Sequence, residues 1–222
     1  MEASAIEAPH ARKKVDKDNS DHMHPSFSSD YAFMNSKNDE DKLTLYIVRE
    51  RKSNHIFSTV VPRKGVSETD VAVDFMLDCT AEFGYAHHTI YLKNDQEPAI
   101  QSVIQGVING RAAPTLLEES PVGSSQSNGA IEGAVSTAER GIRRLRLALE
   151  NKYRVQIPVS HQVVPWLVLH AGFTHNRFQI GHDGKVPYSR IRGKMFDKSL
   201  CEFAECVPVS YTHLTLPTNR EV

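Results

Sequence analysis

The sequence predicts an α/β fold, in which a mixed β-sheet carries helices on its faces. Two observations predict it: a pair of strand-like segments comes first, and strands then alternate with helices along the chain. The chain has 222 residues, 40% of them hydrophobic, which is enough for one buried core.

The two ends of the chain differ from its central part. Residues 1–28 are polar and lack apolar periodicity, so we expect a disordered or truncated lead-in. The run 209–218 (VSYTHLTLPT) resembles a translation of the transposase adaptor used in sequencing-library preparation. We therefore expect residues 208–222 to be a non-native tail and residues 29–207 to form the core.

The first elements of the core are predicted from local pattern. Two segments rich in apolar and β-branched residues, Lys42–Arg49 and Ile56–Val61, are typical of strands. Turn residues at 52–54 separate them, which predicts a hairpin. Residues 68–83 then place apolar side chains at helical spacing, and the short apolar run 88–92 predicts a buried strand.

The second half of the core continues the alternation. A helix is predicted over residues 96–109 and a short strand over 113–117. Residues 119–130 (ESPVGSSQSNGA) are rich in Gly, Ser and Asn, which predicts a mobile loop. A long helix is predicted over 131–153, and another amphipathic helix over 163–177.

Composition excludes several classes of protein. The net charge is −1, so any surface that binds nucleic acid must be local. Three scattered cysteines are too few for a disulfide framework, which favours a reducing compartment. No apolar run reaches the roughly 18 residues of a membrane span, and no secretory segment opens the sequence. We expect a soluble intracellular protein without a membrane partner.

Three carboxylates are candidates for chemistry, and each has an ordinary structural explanation as well. Asp95 follows the predicted buried strand 88–92, at the edge of the sheet where ligands and metals gather, but it could simply cap the next helix. Glu132 would stand in the first turn of the long helix, where the helix dipole favours acidic residues. Asp30 could be a polar residue at a strand entry.

Taken together, the three carboxylates suggest a metal site. Divalent cations such as Mg²⁺ need several oxygen ligands, and two-metal phosphoryl transfer needs carboxylates that converge from different elements. An aspartate on an early strand, an aspartate after a buried strand and a glutamate on a late helix would supply that arrangement.

Several segments resemble one known family. The run 93–100 (KNDQEPAI) is similar to the second-aspartate motif of long-terminal-repeat retrotransposon integrases of the D,D,E type, and 119–135 (ESPVGSSQSNGAIEGAV) to their mobile loop and catalytic glutamate. The opening run 30–34 (DYAFM) resembles the first-aspartate strand. Further similarity lies in three flanking runs: 60–65 (VVPRKG), 165–178 (PWLVLHAGFTHNRF) and 183–196 (DGKVPYSRIRGKMF).

The resemblance implies a fold and a reaction. The fold is the ribonuclease-H-like fold, a five-stranded mixed sheet flanked by helices. Asp30, Asp95 and Glu132 would be the catalytic residues and would hold two Mg²⁺ or Mn²⁺ ions. The enzyme would trim the 3′ end of the element's DNA, and the freed 3′-hydroxyl would attack a phosphodiester of the target DNA, without a covalent protein intermediate.

Helical geometry suggests how the long helix would contact double-stranded DNA. At about 100° per residue, Arg143 lies roughly 20° from Glu132 around the helix, Arg146 roughly 40° to the other side and Arg140 about 80° away. These arginines could form a phosphate-binding stripe. The alternative is a solvated basic face in which Glu139 and Glu150 are partial partners.

Other implications concern partners and location. Asn128 and Gly129, in the predicted mobile loop, would contact the DNA. We expect a homo-oligomer that acts on element ends and target DNA in the nucleus, or lies in the cytoplasm as part of a Pol polyprotein. No zinc-binding pattern precedes the core and no DNA-binding region follows it, so we expect a fragment.

Two alternatives from other classes remain open. The chain could be a decayed or domesticated remnant that binds DNA or partners without catalysis, which the missing flanking domains favour. It could also be a metal-dependent nuclease of the same fold, such as a ribonuclease H. The loop-and-glutamate motif at 119–135 argues against the nuclease.

Overall fold

The computed structural model describes residues 23–35, 42–66, 70–119 and 125–205. In chain order these residues form β1 (Ser26–Asn35), β2 (Lys42–Glu50), β3 (Ile56–Val61), α1 (Val71–Glu82), β4 (Ile90–Asn94), α2 (Pro98–Gly110), β5 (Thr115–Glu119), α3 (Ser125–Tyr153), α4 (Val163–Phe178) and α5 (Pro187–Arg192).

The strands form one five-stranded sheet in the order β3-β2-β1-β4-β5. Strands β1, β2 and β3 pair as an antiparallel meander, whereas β4 pairs in parallel with both β1 and β5. The predicted mixed sheet with helices on its faces is therefore confirmed, as are the hairpin of β2 and β3 and the alternation of strands with helices that follows it.

Each face of the sheet is covered by a different pair of helices, because side chains along a strand point alternately to opposite faces. One face packs against α3 and α4, and its cluster includes Ala32, Met34, Leu45, Ile47, Ile131, Ala138, Ile142, Leu167 and Val168. The other packs against α1 and α2, and its cluster includes Phe27, Tyr46, Val48, Met76, Ile90, Leu92, Ile100, Val103 and Val107. The core thus has two layers, one on each side of the sheet.

Helix α4 lies against the edge strand β3 and is tied to it by polar contacts. The buried amide of Asn176 accepts a hydrogen bond from the backbone nitrogen of Ile56 at 2.9 Å and donates one to its carbonyl at 2.7 Å. Ser58 Oγ donates to the carbonyl of Val168 at 2.7 Å. Gly172 faces the strand so closely that a Cβ there would lie 3.0 Å from the Ile56 carbonyl oxygen.

Several element boundaries differ from the predicted ones. Strand β1 begins at Ser26, three residues before the predicted start of the core at residue 29. Helix α3 begins at Ser125, so residues 125–130 are helical and do not belong to the loop predicted over 119–130. The loop prediction was based on composition, but Ile131, Ala134 and Ala138 pack on the sheet, and such packing outweighs the low helix propensity of Gly, Ser and Asn.

Other expectations lie partly or wholly outside the described residues. These include the disordered character of residues 1–22, the first two residues of the predicted helix 68–83, the loop residues 120–124 and the non-native tail 208–222. Helix α5 was not predicted. Within the described part of the chain, no helix combines the length and the apolar character that a membrane span requires.

Candidate active site

A side-chain clamp joins β1 to β4 where their backbone ladder ends. The parallel ladder pairs residues 26–28 with residues 91–93. One residue further along each strand, Asn94 Oδ1 accepts hydrogen bonds from both the backbone nitrogen and the hydroxyl of Ser29, each at 2.8 Å. Both residues are buried. The residues that follow them are Asp30 and Asp95, so this clamp fixes the backbone from which both candidate aspartates project.

Asp30 lies within β1 and is partly buried. It alternates along the strand with Ala32 and Met34, whose side chains belong to the cluster under α3 and α4. Asp30 therefore points to the face of the sheet that α3 covers. Its Oδ1 accepts a hydrogen bond from the backbone nitrogen of Tyr31 at 2.7 Å, which orients the carboxylate.

Asp95 is exposed in the short segment between β4 and α2. Its Oδ1 accepts a hydrogen bond from the backbone nitrogen of Gln96 at 2.7 Å. The explanation of Asp95 as a helix cap is wrong, because α2 begins at Pro98 and its N-cap is Glu97. At the C-terminal end of a central strand, Asp95 occupies the position where α/β sheets bind ligands.

Glu132 is the eighth residue of α3 and lies about two turns inside the helix. The alternative explanation, that Glu132 is a first-turn residue stabilised by the helix dipole, is therefore wrong, since that effect is confined to the first turn. Glu132 is exposed, whereas Ile131 and Ala134 beside it are buried in the cluster that also holds Ala32 and Met34. The helix segment that carries Glu132 thus packs on the face to which Asp30 points.

The surroundings of Asp30 are rich in negative charge. Burial raises the pKa of Asp30 above its ordinary value, and the hydrogen bond from Tyr31 opposes that rise. The charges of Glu97 and Asp95 raise the pKa further, while the ammonium group of Lys64 lowers it. Asp30, Asp95 and Glu97 therefore lie within electrostatic range of one another, with Lys64 as a compensating cation.

Sequence reasoning missed the ion pair beside the aspartates. Lys64 Nζ lies 2.7 Å from Glu97 Oε1, and it also lies 5.5 Å and 5.2 Å from the ring centroids of Tyr31 and Phe33. The pair links the segment after β3 to the segment after β4, next to the first-aspartate strand. Each residue lies next to a noted motif, Lys64 in the run 60–65 and Glu97 two residues after Asp95, but nothing in either segment indicates that the two side chains pair.

The structure brings the two aspartates into one neighbourhood but does not complete a three-carboxylate site. Among the described residues, no three His, Cys, Asp or Glu side chains are close enough together to hold a metal ion. The shared role of Asp30, Asp95 and Glu132 as catalytic residues and metal ligands stays a prediction.

The three arginines proposed to contact DNA have different surroundings. Arg143 is exposed and its Nη2 lies 3.2 Å from Glu139 Oε2, whereas the partly buried Arg146 places Nε 3.0 Å from Glu150 Oε1. These glutamates are the partners named by the alternative of a solvated basic face. Arg140 is exposed and, among the residues that the structure describes, donates only to oxygens of the preceding turn of its own helix. DNA contact by these arginines stays a prediction.

Asn128 and Gly129 do not lie in a loop. Both belong to α3, and Gly129 is exposed with open space around its Cα, while the side chain of Asn128 lies outside the described part of the structure. Their backbone groups are therefore helical, and contact with DNA by either residue stays a prediction.

Three solved structures illustrate the proteins that share this fold. No protein-family model matches the chain, and no curated protein matches it. The catalytic core domain of HTLV-2 integrase in complex with magnesium superposes in its trimeric form with a TM-score of 0.54 at 15% identity, covering 76% of this chain and 95% of that one. Its dimeric form gives 0.53 at 15% identity, with 76% and 97% covered. The intasome of simian T-cell lymphotropic virus in complex with PP2A regulatory subunit B56 gamma gives 0.58 at 16% identity, covering 86% of this chain and 60% of that one.

These likenesses decide the fold. The chain has the ribonuclease-H-like fold of integrase catalytic cores. With sequence identities of 15% and 16%, the likeness concerns the fold, and the chemistry must be argued from the residues of this chain.

Proposed function

We propose that this chain is the catalytic core of a retrotransposon-type integrase of the D,D,E kind, a polynucleotidyl transferase that acts on double-stranded DNA. The observation that carries the proposal is the placement of the candidate carboxylates on an integrase-type fold. Asp30 and Asp95 follow the two residues of the Ser29–Asn94 clamp, and Asp30 points to the face covered by the helix that carries Glu132.

The donor set suits divalent metal ions. Carboxylate oxygens are the ligands that Mg²⁺ and Mn²⁺ prefer, and the proposed ligands come from two strand ends and a helix. Asp30 would hold its carboxylate toward the ions in the orientation set by Tyr31, and Asp95 in that set by Gln96. When bound, two such ions supply Lewis acidity and neutralise charge at a phosphodiester.

The proposed reaction consists of two displacements at phosphorus. Water hydrolyses a phosphodiester near the 3′ end of the element's DNA and leaves a 3′-hydroxyl. That hydroxyl then displaces a 3′-oxygen in the target DNA, which joins the two molecules. Lys64, held by Glu97 beside Asp30, would contact a phosphate of the bound strand. We further propose that the protein acts as a homo-oligomer, because the HTLV-2 structures are described as trimeric and dimeric.

A second candidate function is a remnant that binds DNA or partners without catalysis. The observation that favours it is the lack of an assembled three-carboxylate group among the described residues. The two candidates differ in what metal addition and carboxylate substitution would do.

The test is a disintegration assay on branched DNA with Mg²⁺ or Mn²⁺, because this reaction demands least of flanking domains. We expect activity in the unchanged chain and a loss of at least about 10²-fold in Asp30→Asn, Asp95→Asn and Glu132→Gln, the scale on which removal of one transition-state-stabilising group acts. Asp74→Asn, an exposed carboxylate in α1, serves as the matched control and should retain activity.

Mn²⁺ binding followed by electron paramagnetic resonance separates the two candidates. If the folded chain binds Mn²⁺ through these carboxylates but is inactive, the remnant is favoured. If activity persists in both Asp95→Asn and Glu132→Gln, the assignment of the active site is wrong.

A further inference from the structure

A small cavity lies where the start of β3 meets the ends of α1 and α4 and the short helix α5. It holds about 30 Å³, which is room for about two water molecules. Its lining consists of His55, Glu82, Phe83, Arg177, Tyr188, Ile191 and Arg192. None of these residues belongs to the proposed active site, and β2 separates β3 from β1, the strand of Asp30. We call it the Arg177 cavity.

Two nitrogen atoms of the lining are buried without a hydrogen-bond partner among the residues that the structure describes. They are Arg177 Nε and His55 Nδ1. The whole His55 side chain is buried, with only 5% of its surface exposed. Buried polar groups in folded proteins are nearly always satisfied by another group or by ordered water. The two nitrogens therefore indicate that a group with acceptor atoms completes the cavity.

The guanidinium group of Arg177 is held in a fixed orientation with one edge unused. Its Cζ lies 3.6 Å from the ring centroid of Phe173, 5.4 Å from that of Tyr188 and 5.2 Å from that of Phe196. Its Nη1 donates to the carbonyl of Phe173 at 3.3 Å. Nε and Nη2 donate to no group in the described part of the chain. These two nitrogens form an edge that can donate to both oxygens of a carboxylate at once.

The charge around the cavity favours an anion. Arg177 and Arg192 each carry one positive charge, and Glu82 carries one negative charge. Burial lowers the pKa of Arg177 and the charge of Glu82 opposes that change, but the two side chains make no ion pair within the described ranges. Burial first, and then the charge of Arg177, lowers the pKa of His55 to about 3. The imidazole is therefore neutral at pH 7, and Nδ1 can be the nitrogen that carries its proton and donates.

We propose that the Arg177 cavity binds the carboxylate group of a small molecule. The two carboxylate oxygens accept hydrogen bonds from the Nε and Nη2 groups of Arg177, and one of them also accepts from His55 Nδ1. The volume admits about two oxygen-sized atoms, which matches a planar carboxylate and is too small for a tetrahedral phosphate. The rest of the molecule extends toward the exposed side chains of Glu82 and Arg192. This site does not depend on the proposed function.

The test follows two groups of the full 222-residue chain by NMR at neutral pH, the Nε–H of Arg177 and the imidazole ring of His55. The probe is sodium acetate, and sodium chloride at equal ionic strength is the control. We expect both signals to shift with acetate until they saturate, and to stay in place with chloride. If acetate produces no saturable shift, water fills the cavity and the proposal is overturned. Equal shifts with chloride also overturn it.

Substitutions separate a carboxylate site from general attraction to positive charge. Arg177→Lys keeps the charge but removes the two-donor edge, so the acetate dissociation constant, read from the His55 ring, should rise at least about 10-fold. Arg192→Gln removes an exposed charge and should raise it only about threefold. Arg140→Gln, which removes an exposed guanidinium group on α3, is the matched control and should leave it unchanged.

The variants also define what would contradict the proposal. An unchanged dissociation constant in a folded Arg177→Lys chain overturns it. If that variant does not fold, an unchanged constant in Arg192→Gln does so, because the surface substitution leaves the core intact. Polyglutamate tests the source of the carboxylate. If it shifts the two signals while acetate does not, the cavity binds an acidic protein segment and the proposal of a small-molecule ligand is overturned.

Discussion

Strands β3 and β5 form the two edges of the sheet, and the chain protects their outer backbone groups by different means. Strand β3 is covered by α4, and the amide of Asn176 satisfies both backbone groups of Ile56 that point away from the sheet. In the described part of the chain, β5 has no such cover, and Leu116 and Leu117 on it are 39% and 47% exposed. Strand β5 contains only five residues, which limits the edge it presents.

The difference shows how one residue type can close an edge. An asparagine side chain can present an N–H donor and a carbonyl acceptor side by side, so a helix that carries it can pair with the backbone of an edge strand in place of a missing neighbouring strand. The closure requires close approach, and α4 provides it by placing Gly172 against β3. Small substitutions at the β3 edge should therefore lower the free energy of unfolding, whereas the β5 edge should tolerate large substitutions.

The largest effect is expected from Asn176→Ala. The substitution leaves the backbone nitrogen and carbonyl of Ile56 without their partners, and unpaired buried groups cost about 1–3 kcal/mol each, so we expect a loss of about 3 kcal/mol in the free energy of unfolding. Urea denaturation measures it. Asn109→Ala, which removes an exposed amide near the end of α2, is the matched control and should cost less than about 0.5 kcal/mol. Equal losses in both variants would contradict the role of Asn176 as the partner of the β3 backbone.

The next effect concerns acid stability at the start of β3. Burial lowers the pKa of His55 to about 3, and its ring packs on Phe57 and Phe83 at centroid distances of 4.5 Å and 5.2 Å. In the unfolded chain this histidine takes up a proton near pH 6.5, whereas in the folded chain it does not. The neutral His55 therefore leaves the free energy of unfolding undiminished above pH 6.5, and that free energy falls by about 1.4 kcal/mol per pH unit from there toward pH 3.

His55→Phe isolates this effect because phenylalanine keeps the aromatic packing without the titration. We subtract the unfolding free energy of the wild type from that of the variant. This difference should be about 2 kcal/mol larger at pH 5 than at pH 7.5. Urea unfolding at the two pH values gives this number. Parallel pH profiles for the two proteins would show that His55 is accessible to solvent in the folded chain.

A smaller loss is expected from Gly172→Ala. The new Cβ would lie 3.0 Å from the Ile56 carbonyl oxygen and 3.3 Å from Ser58 Oγ, so α4 must shift away from β3. Such overpacking costs about 1–3 kcal/mol, and the better helix propensity of alanine returns up to about 1 kcal/mol, leaving a net loss of about 1 kcal/mol. Gly133→Ala in α3 has open space and should instead gain up to about 1 kcal/mol. Thermal unfolding compares the two, and the same sign for both would refute the close approach.

The smallest effect on stability is expected at the other edge. Leu117→Lys replaces an exposed apolar side chain on β5, so the unfolding free energy should change by less than about 0.5 kcal/mol, and self-association should decrease because a charged edge resists pairing. Light scattering and urea unfolding measure the two quantities. A large loss of stability would mean that another part of the chain covers β5 in solution.

The sequence predicts elements best where local pattern and tertiary packing agree. The hairpin of β2 and β3 follows from two apolar runs around a short turn, and α4 ends within one residue of the predicted position because its apolar spacing persists to Phe178. The start of α3 could not be predicted, because Ser125 to Gly129 have the composition of a loop and become helical only in continuity with the packed residues from Ile131 onward.

The candidate site shows the same limit. The motif around Asp95 is visible in the sequence, but the clamp that places Asp95 beside Asp30 joins residues 65 positions apart. The pairing of Lys64 with Glu97 is likewise a contact between distant segments, and no local pattern contains it. The sequence predicts Glu132 on the long helix. Its position about two turns inside that helix could not be predicted, because the start of the helix at Ser125 could not be predicted.

The Ser29–Asn94 clamp would also affect the thermodynamics of the metal binding that is proposed for this site. Because the backbone before Asp30 and before Asp95 is immobilised when the chain folds, a cation that binds both carboxylates has little conformational entropy left to remove from them. Glu132 projects from a different element, so its capture is the step at which binding would meet an entropic barrier. If the proposed site binds Mg²⁺, calorimetry should therefore give a less favourable entropy of binding for Asn94→Ala than for the unchanged chain, even though Asn94 is not among the proposed ligands.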